Sequence, residues 1–189
     1  MEAIVSAVEN LMKALGLDTT GVEMRDTPVR VAKMLKNELF KGLFTPAPTV
    51  TTFPSYGYNQ MVVLGGVDVK SVCEHHLLSF VGKAHIGYVP KDKVVGVSKL
   101  NRIVDWYSCR PQIQERLTNQ IADFIEKSLS PEGLIVVVEC THLCMLVRGV
   151  NQSGMLVTSA IKGCFENAAT RSEFFSFIGD KRWKGERLF

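Results

Sequence analysis

Long apolar runs are absent from this chain, and so is any strong excess of charge of one sign. No apolar segment reaches the roughly 20 residues that a membrane-spanning helix needs, so we expect no membrane contact. Lys and Arg total 22 against 19 Asp and Glu, which leaves a formal net charge of only +3. A balance this mild argues against nucleic acid as a partner. It does not exclude a nucleotide, because a phosphate site needs only a few cations placed together.

Features of exported or repetitive proteins are also missing. The first 17 residues lack the basic region and small-residue cleavage site of a signal peptide, and their apolar residues recur at helical spacing instead. The five cysteines are odd in number, which in a chain without an export signal favours free thiols or metal ligands over disulfides. We therefore expect a cytoplasmic protein of one domain over residues 1–189, without internal repeats.

Hydrophobic periodicity predicts helices and mostly antiparallel strands in separate blocks, which is an α+β protein. Residues 1–45 form an N-terminal helical part, whose second helix begins at Thr27-Pro28 and ends near Gly42. Residues 55–178 form the core, and the basic tail at 179–189 is expected to be mobile. The first half of the core predicts strands at 61–69 and 80–89, a short helix at 99–106 capped by Ser98, and a longer helix opened by Pro111. The second half predicts a strand at 134–138 that continues through Cys144 to 147. A hairpin turn at 153–154 then leads into a strand at 155–161, and the last helix lies at 165–178.

Three of the four histidines lie in two short segments that also carry cysteine. The first is CEHH at residues 73–76, where Cys73 and His76 can converge on one ion if the chain turns. The second is HLC at 142–144, where residues two apart on a strand face the same side. The candidate zinc ligands are therefore Cys73, His76 and Cys144, and three protein ligands leave the fourth position open for water, as in catalytic sites.

His75 and His142 would then remain unliganded beside the metal, where an imidazole that titrates near neutral pH can exchange protons with a heterocycle. Each motif has an ordinary structural alternative. A lone CxxH is usually coincidence or local packing, and a cysteine on a buried strand usually acts as a small hydrophobic residue. His85 lies in the middle of a predicted strand, and we interpret it as structural.

A triphosphate would need several cations at close range. The candidates are Lys33, Lys99 and Arg102 at the start of the short helix, and Arg148 shortly after Cys144. Each of these, taken alone, is more often a solvated surface charge. Glu115 could accept two hydrogen bonds from a guanine edge, but a carboxylate in the first turn of a helix is also ordinary helix-dipole chemistry.

Several segments together resemble the GTP cyclohydrolase I family, over most of the chain from about Arg25 to Phe175. They are TPVRVAKM at 27–34, CEHH at 73–76, GKAHIGY at 82–88, SKLNRIV at 98–104, RPQIQERLT at 110–118, HLCM at 142–145, RGV at 148–150 and TRSEF at 170–174. So many motifs in one order make the resemblance specific. It implies a T-fold, an antiparallel sheet with helices packed on one side, assembled as two pentameric rings into a toroidal homodecamer with active sites between subunits.

The resemblance also implies roles for individual residues. Zn²⁺ is held by Cys73, His76 and Cys144, the acid–base histidines are His75 and His142, and guanine is read by Glu115 and the backbone of Gln114. Ribose and triphosphate contacts fall on Ser98, Lys99, Arg102, Arg148 and Lys33. The implied substrate is GTP, hydrolysed at C8 while His142 protonates the imidazole ring. Formate leaves, and the ribose rearranges with help from Ser98 and His75 to give 7,8-dihydroneopterin triphosphate.

This reaction can begin the biosynthesis of tetrahydrofolate, biopterin or 7-deazaguanine compounds, and the sequence does not choose between them. A related T-fold enzyme acting on another pterin or deazaguanine is disfavoured by the intact CEHH and HLC segments. The alternative outside the enzyme class is a catalytically inactive, zinc-stabilised T-fold binding protein. A closed four-ligand site, with His75 or His142 also on the metal, would favour that alternative.

Overall fold

The computed structural model describes residues 1–179, in which helices pack on a five-stranded sheet. The helices are α1 (Glu2–Ala14), α2 (Thr27–Met34), a π-helical turn (Leu35–Leu39), α3 (Lys41–Phe44), α4 (Val97–Ser108), α5 (Gln114–Leu129), α6 (Leu143–Leu146), a 3₁₀ turn (Cys164–Glu166) and α7 (Ala168–Gly179). The strands are β1 (Thr52–Pro54), β2 (Val62–Cys73), β3 (Ser79–Val89), β4 (Lys93–Val95), β5 (Pro111–Gln112), β6 (Gly133–His142) and β7 (Met155–Gly163).

The large sheet has the strand order β5-β2-β3-β6-β7, and only the two-residue β5 runs parallel to its neighbour. The register places Phe80 opposite both Ser71 of β2 and His142 of β6. At the other end of β3, Tyr88 lies opposite Leu134. These pairings define two ends of the sheet, and the predicted functional residues divide between them.

Helices α4 and α5 cover one face of this sheet, because each carries an apolar stripe that faces the strands. The core between them contains Leu100, Ile103 and Val104 from α4, Leu117, Ile121 and Ile125 from α5, and Val69, Phe80, Ile86, Leu134, Val136 and Val138 from the strands. A smaller cluster on the opposite face joins Phe165 and Phe174 to Ile135 and Val137. The predicted α+β class, with an antiparallel sheet and packed helices, is confirmed.

The N-terminal helices depart from the predicted boundaries. The second helix does not run unbroken to Gly42: α2 ends at Met34, a π-helical turn follows, and α3 begins at Lys41. Gly42 is buried inside α3, where its N–H donates to the Cys109 carbonyl oxygen over 2.9 Å. A β-carbon at Gly42 would lie 2.3 Å from the Trp106 carbonyl oxygen. This glycine therefore permits close packing on α4 rather than ending a helix.

β2 is longer than predicted and bends where the register shifts between Leu64 and Val67. Gly66, with φ of 73°, occupies this bulge, a conformation that favours glycine. The buried His85 ring accepts a hydrogen bond from the Gly66 N–H over 3.2 Å and places Nε2 3.4 Å from Glu139. His85 thus supports the bend of the strand, which is a structural role.

Three further predictions about element boundaries were wrong. The strand through Cys144 ends at His142, so Cys144 lies in the helical turn α6, and residues 143–154 replace the predicted tight hairpin. Gly96 rather than Ser98 precedes α4, and Ser98 lies within the helix without a capping hydrogen bond. Pro111 pairs with Val72 in β5, and α5 begins three residues later at Gln114.

Across residues 1–179, no helix combines the length and the apolar character required to cross a bilayer. The tail predicted to be mobile, residues 179–189, lies outside the described residues except for Gly179, which ends α7.

Candidate functional site

The end of β2 turns sharply into β3 and gathers the first cluster of predicted residues. Cys73 is the last residue of β2, and its carbonyl oxygen accepts hydrogen bonds from the N–H groups of His76 and Leu77. Leu77 adopts a positive φ of 53°, which allows the chain to reverse within this turn. The turn presents His75 and His76 at the surface while the Cys73 side chain stays buried.

The ligand atoms of Cys73, His76 and Cys144 all lie within 4.8 Å of one another. The Cys73 sulfur and Nδ1 of His76 are 3.9 Å apart. Ligands of one tetrahedral zinc ion lie about 3.5–3.8 Å apart when Zn–S is about 2.3 Å and Zn–N about 2.0 Å. The group therefore needs to contract by about an ångström at most, and two sulfurs with one imidazole are donors that zinc prefers. We call this part of the molecule the metal end.

The electrostatic environment of the Cys73 and Cys144 sulfurs also favours a bound cation. Burial and then the neighbouring Cys73 sulfur raise the pKa of the Cys144 thiol above its usual value. Two thiolates at this separation repel each other, and a divalent cation between them reverses that effect. Arg148 donates to Nε2 of His76 over 2.7 Å. Because a guanidinium only donates, Nε2 is the acceptor and the neutral ring carries its hydrogen on Nδ1, which faces the Cys73 sulfur. Binding of an ion through Nδ1 would require the hydrogen on Nε2 instead, and Arg148 would have to move away from that atom.

His142 lies at the end of β6, half-buried beside this group. Its ring stacks on Phe80 with centroids 4.5 Å apart, and its Nε2 is 2.9 Å from the side-chain oxygen of Gln114. Burial lowers the pKa of His142, while the charge of Glu115 acts in the opposite direction. His75 also lies close, with Nδ1 3.8 Å from the Cys73 sulfur.

The start of α5 contacts the metal-binding turn directly. The Glu74 N–H donates to the Gln112 carbonyl oxygen, and Arg116 forms an ion pair with the Glu74 carboxylate. Arg116 also donates to the side-chain oxygen of Gln112 over 2.9 Å. Its hydrogen bond to Glu74, followed by its charge, holds the pKa of that carboxylate below the usual range. Glu115 is exposed in the first turn of this helix. The turn and the predicted guanine-reading segment are thus held together.

The remaining predicted residues are not part of this cluster. Ser98, Lys99 and Arg102 lie on the first turns of α4, which we call the phosphate end. β4 precedes this helix, and its Val95 N–H donates to the Tyr88 hydroxyl at the far end of β3. Eight residues of β3 separate that point from the Phe80–His142 pair, a distance of about 26 Å at 3.3 Å per residue. Within one chain the two ends are therefore well apart.

Lys33 is exposed on α2, an element that belongs to neither the metal end nor the phosphate end. The contacts that sequence reasoning missed are the Glu74–Arg116 ion pair and the Gln114 side chain. Glu74 lies inside the CEHH segment, so its position was visible in the sequence. Its partner was not, because the two residues are 42 positions apart.

Comparison with known proteins agrees with this geometry. The family described as GTP cyclohydrolase I matches residues 4–179. A GTP cyclohydrolase 1 of Streptomyces avermitilis is 47% identical over 92% of this chain and 88% of its own length. The Carboxydothermus hydrogenoformans protein of the same name is 44% identical over 94% of both chains, and that of Flavobacterium johnsoniae is 43% identical over 94% of this chain and 81% of its own.

A match over nearly the whole described chain, at identities well above those at which only a fold is shared, also confirms the predicted T-fold. The chain belongs to the GTP cyclohydrolase I family.

Proposed function

We propose that this protein hydrolyses GTP at C8 of guanine, releases formate and forms 7,8-dihydroneopterin triphosphate. The observation that carries the proposal is the group of Cys73, His76 and Cys144 beside two unliganded histidines, in a chain of this family. Such a group has the three protein ligands typical of catalytic zinc, and His75 and His142 are free to act on a substrate.

Cys73, His76 and Cys144 would hold Zn²⁺. Zinc bound there would supply a Lewis acid and hydroxide at neutral pH for the hydrolytic steps. The protein contributes the remaining groups. His142 would deliver a proton to the imidazole ring of the purine, and the Phe80 ring that stacks on it keeps its plane fixed. His75, exposed on the turn, and Ser98 would assist the later rearrangement of the ribose.

The first turn of α5 is the proposed guanine site. Glu115 projects there as an exposed carboxylate and could accept hydrogen bonds from guanine N1–H and the 2-amino group. The backbone of Gln114 would complete the recognition. Adenine cannot offer this pair of donors, so a site built on them discriminates strongly between the two purines. The ion pair between Arg116 and Glu74 holds this site against the metal-binding turn.

The triphosphate would bind Lys99, Arg102, Arg148 and Lys33. Arg148 already lies at the metal end, but Lys99 and Arg102 lie at the phosphate end of the same chain. One nucleotide cannot span the length of the sheet. We therefore infer that the metal end of one chain faces the phosphate end of a second copy, in a homodecamer of two pentamers. The unpaired edge of β7 exposes Met155, Val157 and Ile161, as an interface strand would.

The product would serve tetrahydrofolate, biopterin or 7-deazaguanine biosynthesis. The direct test is to incubate the zinc-loaded protein with GTP and measure formate together with the fluorescence of the oxidised pterin. We expect one formate per GTP consumed. A protein that binds zinc and GTP but releases no formate would instead be the inactive binding protein.

The His142→Ala variant tests the division of roles at the metal end. We expect it to retain zinc, because His142 is outside the ligand group, and to lose turnover by about 10²–10⁴-fold, the usual contribution of a general acid or base. Loss of the metal from this variant would show that His142 is a ligand and that the assignment is wrong.

A further inference from the structure

Behind His142 lies a group of polar side chains to which the proposed function gives no role. Gln114 and Thr118, on the first turns of α5, each expose only 1% of their surface. Thr158, on β7, is half-buried against them. Buried polar groups are costly unless their hydrogen bonds are satisfied, so their partners show what the group is arranged to do.

The orientation of the Gln114 amide is fixed by its surroundings. Its nitrogen lies 2.9 Å from the Val138 carbonyl oxygen and 2.9 Å from the Leu156 carbonyl oxygen. Both are pure acceptors, so the NH₂ group must face them. The amide oxygen must then face His142, whose Nε2 is 2.9 Å away. A flipped amide would place an oxygen against two carbonyl oxygens and is excluded.

The two threonines strengthen this orientation. Thr118 donates its single hydroxyl hydrogen to the Gln114 carbonyl oxygen over 2.8 Å. In the 2.7 Å contact between the two hydroxyls, Thr158 must therefore be the donor. The Thr158 oxygen also lies 3.1 Å from the Gln114 amide nitrogen. The two hydrogens of that nitrogen already face two carbonyl oxygens, so Thr158 shares one of them. The hydrogen bonds run from the Gln114 side chain through both threonines and return to the Gln114 backbone.

The hydrogen bonds of the Gln114 side chain determine which ring nitrogen of His142 carries hydrogen. Because an amide oxygen only accepts, Nε2 of His142 must carry a hydrogen, in the neutral ring and in the cation alike. Nδ1 is therefore the ring nitrogen that these polar side chains leave unengaged. Within residues 1–179 no group forms a hydrogen bond with Nδ1.

We propose that Gln114, Thr118 and Thr158 are positioning residues that orient the His142 ring with hydrogen on Nε2 and leave Nδ1 as the nitrogen available to contact the substrate. This inference rests on the proposed function for the role of His142, and adds which atom acts and what selects it. It concerns the side chain of Gln114, whereas guanine would contact its backbone.

Matched substitutions at Thr158 test the effect of its hydroxyl separately from the effect of its side-chain shape. Thr158→Val keeps the shape and removes the hydroxyl, and Thr158→Ser keeps the hydroxyl. We expect kcat of the valine variant to fall by about two- to tenfold, as the loss of one buried hydrogen bond implies, with KM for GTP and zinc content unchanged. The serine variant should recover most of that loss. Equal kcat in wild type and the valine variant would overturn the role of the threonines.

Gln114→Met removes the side-chain amide that forms the hydrogen bond to His142. We expect kcat to fall by about 10²-fold, within the range for disabling a general acid or base, while zinc content stays at the wild-type level. If the effect appears in KM alone, Gln114 acts only in substrate binding and the proposal fails.

A measurement without turnover distinguishes this inference from the proposed function. ¹⁵N magic-angle-spinning NMR of histidine-labelled, zinc-loaded protein reports which ring nitrogen carries hydrogen, and a spectrum of His142→Ala assigns the signal. We expect protonated Nε2 and bare Nδ1 for the neutral ring in wild type, and a mixture of tautomers in Gln114→Met. An Nδ1–H tautomer in wild type would overturn the inference even if formate is released. Absence of formate with the expected spectrum would refute only the function.

Discussion

The metal end and the phosphate end of the sheet are built in different ways. At the metal end two predicted residues have side-chain partners: His142 contacts Phe80 and Gln114, and His76 contacts Arg148. At the phosphate end, Ser98 and Arg102 are exposed on α4. In the part of the chain that the structure describes, the side chains of Ser98, Lys99 and Arg102 make no hydrogen bond or ion pair with another residue.

This difference indicates which part of the site one chain can complete. A group held by several buried contacts is preorganised and keeps its geometry without a ligand. Exposed cations on a helix surface keep their side-chain freedom and become ordered only against an anion. Under the proposed function, the metal end would therefore be largely formed within one chain, and the phosphate end would become ordered only against a nucleotide held by a second copy.

The largest expected effect comes from removing a ligand at the metal end. Cys144→Ala should lose bound zinc and all measurable turnover, because the two remaining ligands, Cys73 and His76, cannot hold the ion. Metal content of the purified protein and formate release measure this. Cys164→Ala is the matched control, since Cys164 is also a partly buried free cysteine but lies beside Gly133, far from the metal end. Full activity in Cys144→Ala would exclude the site.

The next effect concerns the phosphate end. Arg102→Ala should keep zinc at the wild-type level but raise KM for GTP by about 10- to 100-fold, the range for losing a hydrogen bond to a charged group. If the site forms between copies, mixed oligomers of Arg102→Ala and Cys144→Ala chains should regain activity. In those oligomers some sites combine an intact metal end with an intact phosphate end. Mixed oligomers that form but are no more active at low GTP concentration than the separate variants would place both ends in one chain's own site.

The same contrast explains how much the sequence could predict. Cys73, His76, His142 and Cys144 lie in two compact segments, and their residue types and spacing alone indicate zinc chemistry. The α+β class followed from periodicity. In contrast, the strand through Cys144 was predicted too long, because an apolar run does not show where a strand gives way to a helical turn.

Long-range pairing was the part that local pattern could not supply. Nothing in the sequence near Gln114 indicates that its amide meets Leu156 and Thr158, more than 40 positions away. Ser98 was predicted to cap α4 from its residue type, yet the helix begins at Val97, two residues earlier than predicted, and Gly96 precedes it. At the phosphate end, helical spacing made Lys99 and Arg102 candidates and the resemblance gave them roles, but a solvated helix surface offers no physical sign of those roles in one chain.

A smaller effect is expected from the ion pair at the metal end. Arg116→Met removes the partner of Glu74 and loosens the turn that carries Cys73 and His76. Outer partners of metal ligands typically change metal affinity by about 10- to 100-fold, and we expect the lower limit because these groups support the turn rather than touch a ligand. Competition with a chelator measures the zinc dissociation constant. An unchanged constant would show that the turn holds its shape without the ion pair.

The smallest effect is expected from an ion pair of the same type far from the metal end. Lys162 on β7 contacts Asp123 and Glu126 of α5 at 2.6 Å each, with both carboxylates largely exposed. Lys162→Met should lower the unfolding free energy by less than about 1 kcal/mol, as is usual for exposed pairs.

The hydrogen bond to Asp123 and then that to Glu126 raise the pKa of Lys162. The contribution of Lys162 to the unfolding free energy is therefore complete below its pKa in the unfolded chain, about 10.4. It is lost only as pH rises through its higher pKa in the folded protein. Thermal midpoints of wild type and variant should thus differ by the same small amount between about pH 6 and 9, with zinc affinity unchanged. If Lys162→Met weakened zinc binding as much as Arg116→Met, the effect of the latter would reflect general stability rather than support of the metal-binding turn.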